Sequence, residues 1–431
     1  MNQEQGEASY FVTPDQLSAG LFVFIDLPWF SHPFSFNSFK IRNEKQIQIL
    51  RGLGVQRFRY DPDRSDHPQF PASPPAVMSV ETPVEPPEDA QEDPALVGKR
   101  ARVELLRQHR ERISNVEKAF VKAAAVLRNI NRNIQTRPKE CLEDVGELVQ
   151  QLATAFLSAP ELTLHVMGAK AGGEEFYYHG LNTSILAMML AREMGMPVED
   201  GRVLGLAALL HDIGLADIPD KVLKKTYDLT NAETELRKMH VEYGVRIGKQ
   251  AGLPDNVLAI IYQHHELADG SGYPQGLRND ATLPLARIVA LVNYYDNLCN
   301  PLNTAKALTP HEALSLMFAQ RRSKFDAKLL QLMIKNLGVY PPGSIVKLSN
   351  DALALVQSVN PQKPLRPWVL VYDPYVPKEE AIMIDLEQEP DINISKALRP
   401  IQLPVAALDY LSPRKRVTYF FDADSVGQPA K

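Results

Sequence analysis

Five of the chain's ten histidines, His179, His211, His240, His264 and His265, fall in one stretch, and nearly every one has a carboxylate or a glycine turn beside it. Imidazole and carboxylate are the donor types of a multinuclear divalent-metal site, provided the chain brings them to about 2.0–2.2 Å from the ion. Glu175 and His179 stand four residues apart in EEFYYHG, which runs on with helical periodicity, so both fall on one helix face. The apolar run Gly205–Leu210 delivers His211, Asp212 and then Gly214, which reads as a buried helix closing in a polar pair and a turn. An Asp beside a His can bridge two metals. His240 lies in KMHVEYGVRIGK, His264-His265-Glu266 ends the apolar run AIIYQ, and ARIVALVNYYDNL offers Asn293 and Asp296.

Helices therefore carry the candidate donors, as in a site built within a bundle core. Taken singly, a histidine on an apolar helix face is more often a hydrogen-bonded core residue than a ligand. Five of them interleaved with Glu175 and Asp212 reverse that weighting. His32, His67, His109, His165 and His311 have no such setting and read as structural or solvated.

The strings HDIG (His211 to Gly214), IPDKVL (Ile218 to Leu223), the step from Leu229-Thr230 to Glu233, KMHVEYG (Lys238 to Gly244) and HHELADGSGYPQGL (His264 to Leu277) resemble the HD-GYP family. The resemblance runs from about residue 140 to about residue 335, in the family's order and spacing. It implies an all-helical metal-dependent phosphohydrolase bundle of the HD superfamily. Two or three divalent ions, iron or alternatively manganese, would hydrolyse the bacterial second messenger cyclic di-GMP to linear pGpG and on to GMP. Carried residue by residue, the metal ligands fall on Glu175, His179, His211, Asp212, His240, His264 and His265. The eighth falls on Asn293, where the family usually has the first Asp of a DxxD step; Asp296 keeps the second. Retention of Glu175 resembles the trinuclear type, and Asp212 is the group expected to bridge metals and a hydroxide. Asp269, Gly270, Gly272, Tyr273 and Pro274 form the loop that names the family, a substrate contact or a docking surface for a GGDEF-domain partner.

Three cationic positions of the family pattern are neutral here. Leu215 stands where HDIGK has its lysine, and Leu302-Asn303-Thr304-Ala305 stands where an RPYR-like stretch is common. Fixed positive charge offsets the charge that develops in phosphoryl transfer, so these losses touch the substrate. Arg287, Arg321, Arg322, Lys306 and Lys324 are the cations nearest in sequence that could substitute. The same departures define an alternative: a metal-bearing, catalytically weak relative that senses cyclic di-GMP or docks a partner.

Around this core the sequence divides into segments. Residues 1–65 contain Val12 to Leu17, Gly20 to Val23, Trp29, His32-Pro33-Phe34 and EKQIQILRGLGVQRFRYDP, which resemble the small domain of unknown function that often precedes HD-GYP in Gram-negative bacteria. Alternation over Leu21 to Ile25 and Phe36 to Ile41, with a short helix over Gln46 to Leu53, predicts an α+β module. Residues 66–98, rich in Pro, Glu and Asp, read as a flexible acidic linker. Residues 99–336 form the helical domain, opening with a helix from Arg100 to about Thr136 whose apolar set includes Val103, Leu106, Ile113, Val116, Phe120, Ala124 and Leu127. It packs on the catalytic core or makes a homodimeric coiled coil. Residues 337–424 alternate as β pieces separated by turns, and 425–431 form a tail.

The net charge of −5 argues against DNA and anionic membranes as partners. No apolar stretch approaches 20 residues, so no membrane insertion is expected. Two cysteines, Cys141 and Cys299, and no secretory leader point to a reducing cytoplasm.

Overall fold

The structure, a computed structural model, describes residues 10–27, 32–34, 36–66, 104, 107, 123–130, 132–134, 136–158, 162–168, 175–360, 362–374, 376–378, 381–411 and 417–423. Beyond Asp66, the expected linker lies outside the described residues, as do the tail 425–431, Trp29, His67 and His109. The chain divides into two compact units, one drawn from 1–108, 348–353 and 371–383, the other from 109–347, 354–370 and 384–431.

The first unit contains four short antiparallel strands, β1 (Tyr10–Val12), β2 (Phe22–Phe24), β3 (Ser38–Lys40) and β4 (Phe58–Asp61), in the order β1-β4-β2-β3, with α1 (Glu44–Gly52) between β3 and β4. Asn43 starts α1 because its side chain accepts the backbone N–H of Gln46 at 3.0 Å, so the helix begins two residues before the expected start at Gln46. Ile47 and Leu50 on its inner face join Val23, Ile25, Phe58 and Tyr60 in a small core. Each such side chain contributes about 1.5–3 kcal/mol on burial. Along β4, Phe58 and Tyr60 face in while Arg59 and Asp61 are half-buried. Neither β1 nor β4 was among the expected strands.

In the second unit a helical stretch over residues 123–130 precedes α2 (Pro138–Ser158), β5 (Leu162–Gly168), α3 (Glu175–Glu193) and α4 (Val198–Leu210). A 3-10 turn (Ile213–Asp217) leads into α5 (Asp220–Leu223), α6 (Asn231–Lys238), α7 (His240–Ala251) and α8 (Asp255–Gln263). Then come α9 (Pro284–Cys299), α10 (Pro310–Gln320) and α11 (Ala327–Leu337). Leu181 to Ala191 of α3 is buried on every side because α2, α4 and α9 all pack against that helix. Ala124 and Leu127, from the apolar set of the expected long helix, are buried in this same core with Ile130. Helix starts follow local chemistry: Thr230 with Glu233 and Thr309 with Glu312 form capping boxes, and Asp326 caps α11.

The strands β6 (Ile345–Leu348), β7 (Leu353–Ser358), β8 (Trp368–Val371), β9 (Ile382–Asp385) and β10 (Ile394–Leu398) are followed by α12 (Val405–Leu411) and β11 (Val417–Ala423). They share a seven-stranded sheet with β5, ordered β10-β6-β7-β5-β11 along its main path. β5 corrects the expectation that 99–336 is helical throughout. Its LTLHVMG alternates apolar and other residues, and its backbone pairs antiparallel with β11 from Leu162↔Ala423 to Gly168↔Val417. No described helix is long and apolar enough to cross a membrane.

Candidate metal centre

Helices α4, α6 and α8 all end at one place, and each end holds a histidine by the same contact. Nδ1 of His211 lies 2.7 Å from the Ala208 carbonyl, Nδ1 of His240 lies 2.7 Å from that of Arg237, and Nδ1 of His264 lies 2.6 Å from that of Ile261. Carbonyls in the last turn of a helix have no continuing helical partner, which leaves them free to accept. Because a carbonyl only accepts, Nδ1 carries the proton in all three rings and Nε2 presents a lone pair to the centre. His179, inside α3, is oriented differently: its Nδ1 lies 2.6 Å from Oδ2 of Asp296. The wholly buried Asp296 also accepts Asn182 Nδ2 at 2.8 Å and Asn300 Nδ2 at 2.9 Å through Oδ1.

Asp212 divides the donors into two groups. Its Oδ2 lies 3.5 Å from Nε2 of His211 and 3.8 Å from Nε2 of His179, while its Oδ1 lies 3.3 Å from Nε2 of His240 and 3.8 Å from Nε2 of His264. One set, His179, His211 and Asp212, and another, Asp212, His240, His264 and His265, each keep a donor atom from every member within 4.8 Å of the others. The Nε2 atoms of His179 and His211 are 3.2 Å apart, and those of His240 and His264 are 3.3 Å apart. With Nδ1 protonated in these rings, each pair sets lone pair against lone pair. Two donors bound to one cation at about 2.1–2.2 Å and a right angle stand about 3 Å apart, so the arrangement fits a metal ion in each group.

The electrostatics of His211, His264 and His265 agree with this fit. Burial pushes His211 down to about 4, and burial, reinforced by neighbouring imidazoles, holds His264 and His265 well below the ordinary histidine range. These rings are therefore neutral near pH 7, the form that binds metals. Burial opposes the ionised form of Asp212, but His211 and His240 outweigh it and keep the carboxyl far below its usual range. Burial likewise opposes the charged form of His179, and Asp296 overrides it to raise that ring. The C-terminal ends of α4 and α8 add partial negative charge that favours a cation.

Two glycines allow the close approaches this geometry requires. A Cβ on Gly214 would lie 1.9 Å from the His240 carbonyl and 2.4 Å from the Gly244 nitrogen, so only glycine lets the turn after Asp212 lie on α7. A Cβ on Gly272 would lie 2.4 Å from the His265 carbonyl. This packing holds the Gly270–Pro274 loop on the histidine pair, and the Tyr273 ring stacks on His265 at 4.4 Å. Glu266, 2% exposed, anchors the same loop by accepting the backbone N–H groups of Gln275 and Leu277, both at 2.7 Å. A cleft of about 330 Å³ opens onto Asp212 between Leu127, Ile130 and Leu215, with Lys224 at its edge.

The structure thus brings together His179, His211, Asp212, His240, His264 and His265. Glu175 opens α3 one turn before His179, but its side chain lies outside the described residues. Asn293 is buried close to His179, and its Oδ1 receives Asn297 Nδ2 at 2.5 Å. Leu215 is buried with Ile218 and Val222 in an apolar cluster. Leu302 is half-buried and Ala305 exposed, in a segment tied to the chain around residue 227 by Asn303 to the Thr226 carbonyl and Lys306 to Asp228. Asp269 accepts Ser271, whose hydroxyl also receives Lys324. Sequence reasoning missed the supporting polar groups Asn182, Asn300 and Glu266. Asn182 was signalled by its place three residues after His179 on one helix face, and Glu266 by its place directly after the histidine pair.

Fold and site together define an HD-domain protein of the metal-dependent phosphohydrolase class, whose members bind divalent metal ions. Residues 159–329 match the HD domain, residues 11–145 a domain of unknown function (DUF3391), and residues 345–405 a KOW domain associated with HD domains. The strings that resemble the HD-GYP family lie within the matched HD domain. A cyclic di-GMP phosphodiesterase of Pseudomonas aeruginosa is 29% identical over 362 residues, covering 83% of each chain. A cyclic di-GMP phosphodiesterase response regulator of Xanthomonas campestris is 36% identical over 154 residues, 35% of this chain and 41% of that one. Among solved structures, an HDG"Y"P protein from Bdellovibrio bacteriovorus matches with a TM-score of 0.42 at 16% identity, over 75% of this chain and 98% of that one.

Proposed function

We propose that the protein hydrolyses cyclic di-GMP at a centre of two or three iron or manganese ions held by Glu175, His179, His211, Asp212, His240, His264, His265 and Asn293. The observation that carries this reading is the division of Asp212 between two groups of imidazole nitrogens, Oδ2 towards His211 and Oδ1 towards His240. Divalent ions bound there would polarise the phosphate oxygens and bring the pKa of water down to near 7. Asp212 sets the spacing of the two groups, and Asp296 fixes the His179 ring so that Nε2 faces inward. The His265–Tyr273 stack walls one side of the site. One water is consumed for each P–O bond broken, the ribose oxygen leaving as an alcohol; the first cleavage yields pGpG and a second yields GMP. The division into residues 1–65, 66–98, 99–336, 337–424 and 425–431, a cytoplasmic location and a homodimer belong to the same proposal.

A second reading draws support from two positions. Leu215 packs into an apolar cluster and Asn293 gives its oxygen to Asn297, so the site lacks a cation and a charged ligand at two points of the family pattern. In that reading the centre binds cyclic di-GMP without rapid turnover, and exposed Ser271, Gln275 and Gly276 of the loop meet a GGDEF-domain partner. Turnover of cyclic di-GMP by protein purified anaerobically with iron or manganese separates the two. The phosphodiesterase reading predicts cleavage that disappears in a His211→Ala/Asp212→Ala double variant. Retained binding with no cleavage at full metal content would establish the second reading instead.

A further inference from the structure

The cleft beside Asp212 has two chemical faces. Leu127, Ile130, Leu215 and Leu223 give it apolar walls, while the polar side chains in its lining are Asp212, Asp220 and Lys224. Among the described residues no histidine lines it, so it lies beside the two donor groups rather than between them. None of Arg287, Arg321, Arg322, Lys306 and Lys324 lines it either; the cation that reaches it is Lys224. Asp220 opens α5 and Lys224 follows one turn later, with its Nζ 2.7 Å from Oδ2 of Asp220. An ammonium has three donors and a carboxylate two oxygens, so each keeps capacity beyond the bond between them. The two side chains are 72% and 74% exposed, so the pair contributes little to the fold. At about 330 Å³ the cleft stands at the small end of small-molecule sites, which suits one nucleoside of a cyclic dinucleotide rather than the whole.

We infer that this cleft seats one guanine base of cyclic di-GMP, with the Asp220–Lys224 pair reading the edge of the base while the attached phosphate lies at the donor groups served by Asp212. The inference rests on cyclic di-GMP being the ligand, as in the reading above. The flat faces of the base meet the leucine and isoleucine walls. Guanine sets an acceptor, O6, beside two donors, N1–H and the N2 amino group, and an ammonium beside a carboxylate is the complement of that edge. Adenine sets the N1 lone pair where the carboxylate needs a donor, so the same pair disfavours it. The test uses the full-length, manganese-loaded protein with cyclic di-GMP and its adenine counterpart cyclic di-AMP. It compares wild type with Asp220→Asn, Lys224→Ala and a Lys221→Ala control, on the same helix but outside the cleft lining. KM is read where cleavage occurs and the dissociation constant where it does not. Asp220→Asn should raise the value for cyclic di-GMP roughly tenfold to a hundredfold, as loss of a charge-assisted hydrogen bond does. It should leave or lower the value for cyclic di-AMP, because an amide can donate as well as accept. Lys224→Ala should also weaken cyclic di-GMP, with metal content and Tm unchanged in both variants, and Lys221→Ala should match wild type. Wild-type values for cyclic di-GMP in Asp220→Asn would overturn the assignment. So would equal losses on both dinucleotides in Lys224→Ala, which mark a phosphate contact instead. Wild-type protein that neither binds nor cleaves cyclic di-GMP would remove the functional reading itself.

Discussion

Asp296 Oδ2 lies 2.6 Å from His179 Nδ1, and this contact turns a carboxylate that could have been a ligand into the support of one. The carboxylate is wholly buried and its other oxygen is held by Asn182 and Asn300, so it cannot swing towards the centre without breaking three hydrogen bonds. Asp296→Ala should therefore weaken metal binding by about 10–100-fold rather than abolish it, as loss of an orienting partner does. Metal competition with a chelator reads this directly, and unchanged affinity would refute the supporting role.

Gly214→Ala should destabilise the protein by about 3 kcal/mol, because the added methyl would meet backbone atoms of α7 that cannot rotate away. The same shift would move His240 relative to Asp212, so metal content should fall with stability. Denaturant unfolding and metal analysis on one preparation check both outcomes.

The acid limb of stability should depend on Glu233. The Lys225 ammonium, together with the Thr230 cap, holds its folded pKa at about 2, against an ordinary value of 4.5. A depressed carboxylate stabilises the fold above its unfolded pKa. That contribution should be fully present above about 4.5 and lost as the pH falls towards 2. Glu233→Gln should lower Tm at neutral pH and flatten its fall between those limits; an identical acid limb in the variant would contradict the assignment.

Metal should stabilise the folded chain. A ligand that binds the native state alone adds about 2.7 kcal/mol at a hundredfold excess over its dissociation constant. Adding manganese to chelator-treated protein should raise Tm, and Asp212→Ala should lose most of the rise because that residue serves both donor groups. An equal rise in the variant would mean that the ion binds elsewhere.

Much of the centre was legible in the sequence, since the donors are rare residue types at helical spacings. HDIG, KMHVEYG and the string from His264 each mark the end or start of an element, where a histidine can use an orphan carbonyl. What sequence could not tell is which way a carboxylate faces: Asp296 reads equally well as a ligand or as the group behind His179. The partnership of β5 with β11 was hidden for another reason, because the helices and the other strands of the sheet separate Leu162 from Ala423 in sequence. β1 escaped notice because three residues are too few to show a period of two.

The most direct test is metal stoichiometry and cyclic di-GMP turnover measured on the same anaerobically prepared sample, for wild type and Asp212→Ala. The account predicts at least two iron or manganese ions per wild-type chain, cleavage of cyclic di-GMP, and joint loss of metal and activity in the variant. Wild-type protein that retains no more than one ion, or that leaves cyclic di-GMP intact with both groups filled, would contradict it.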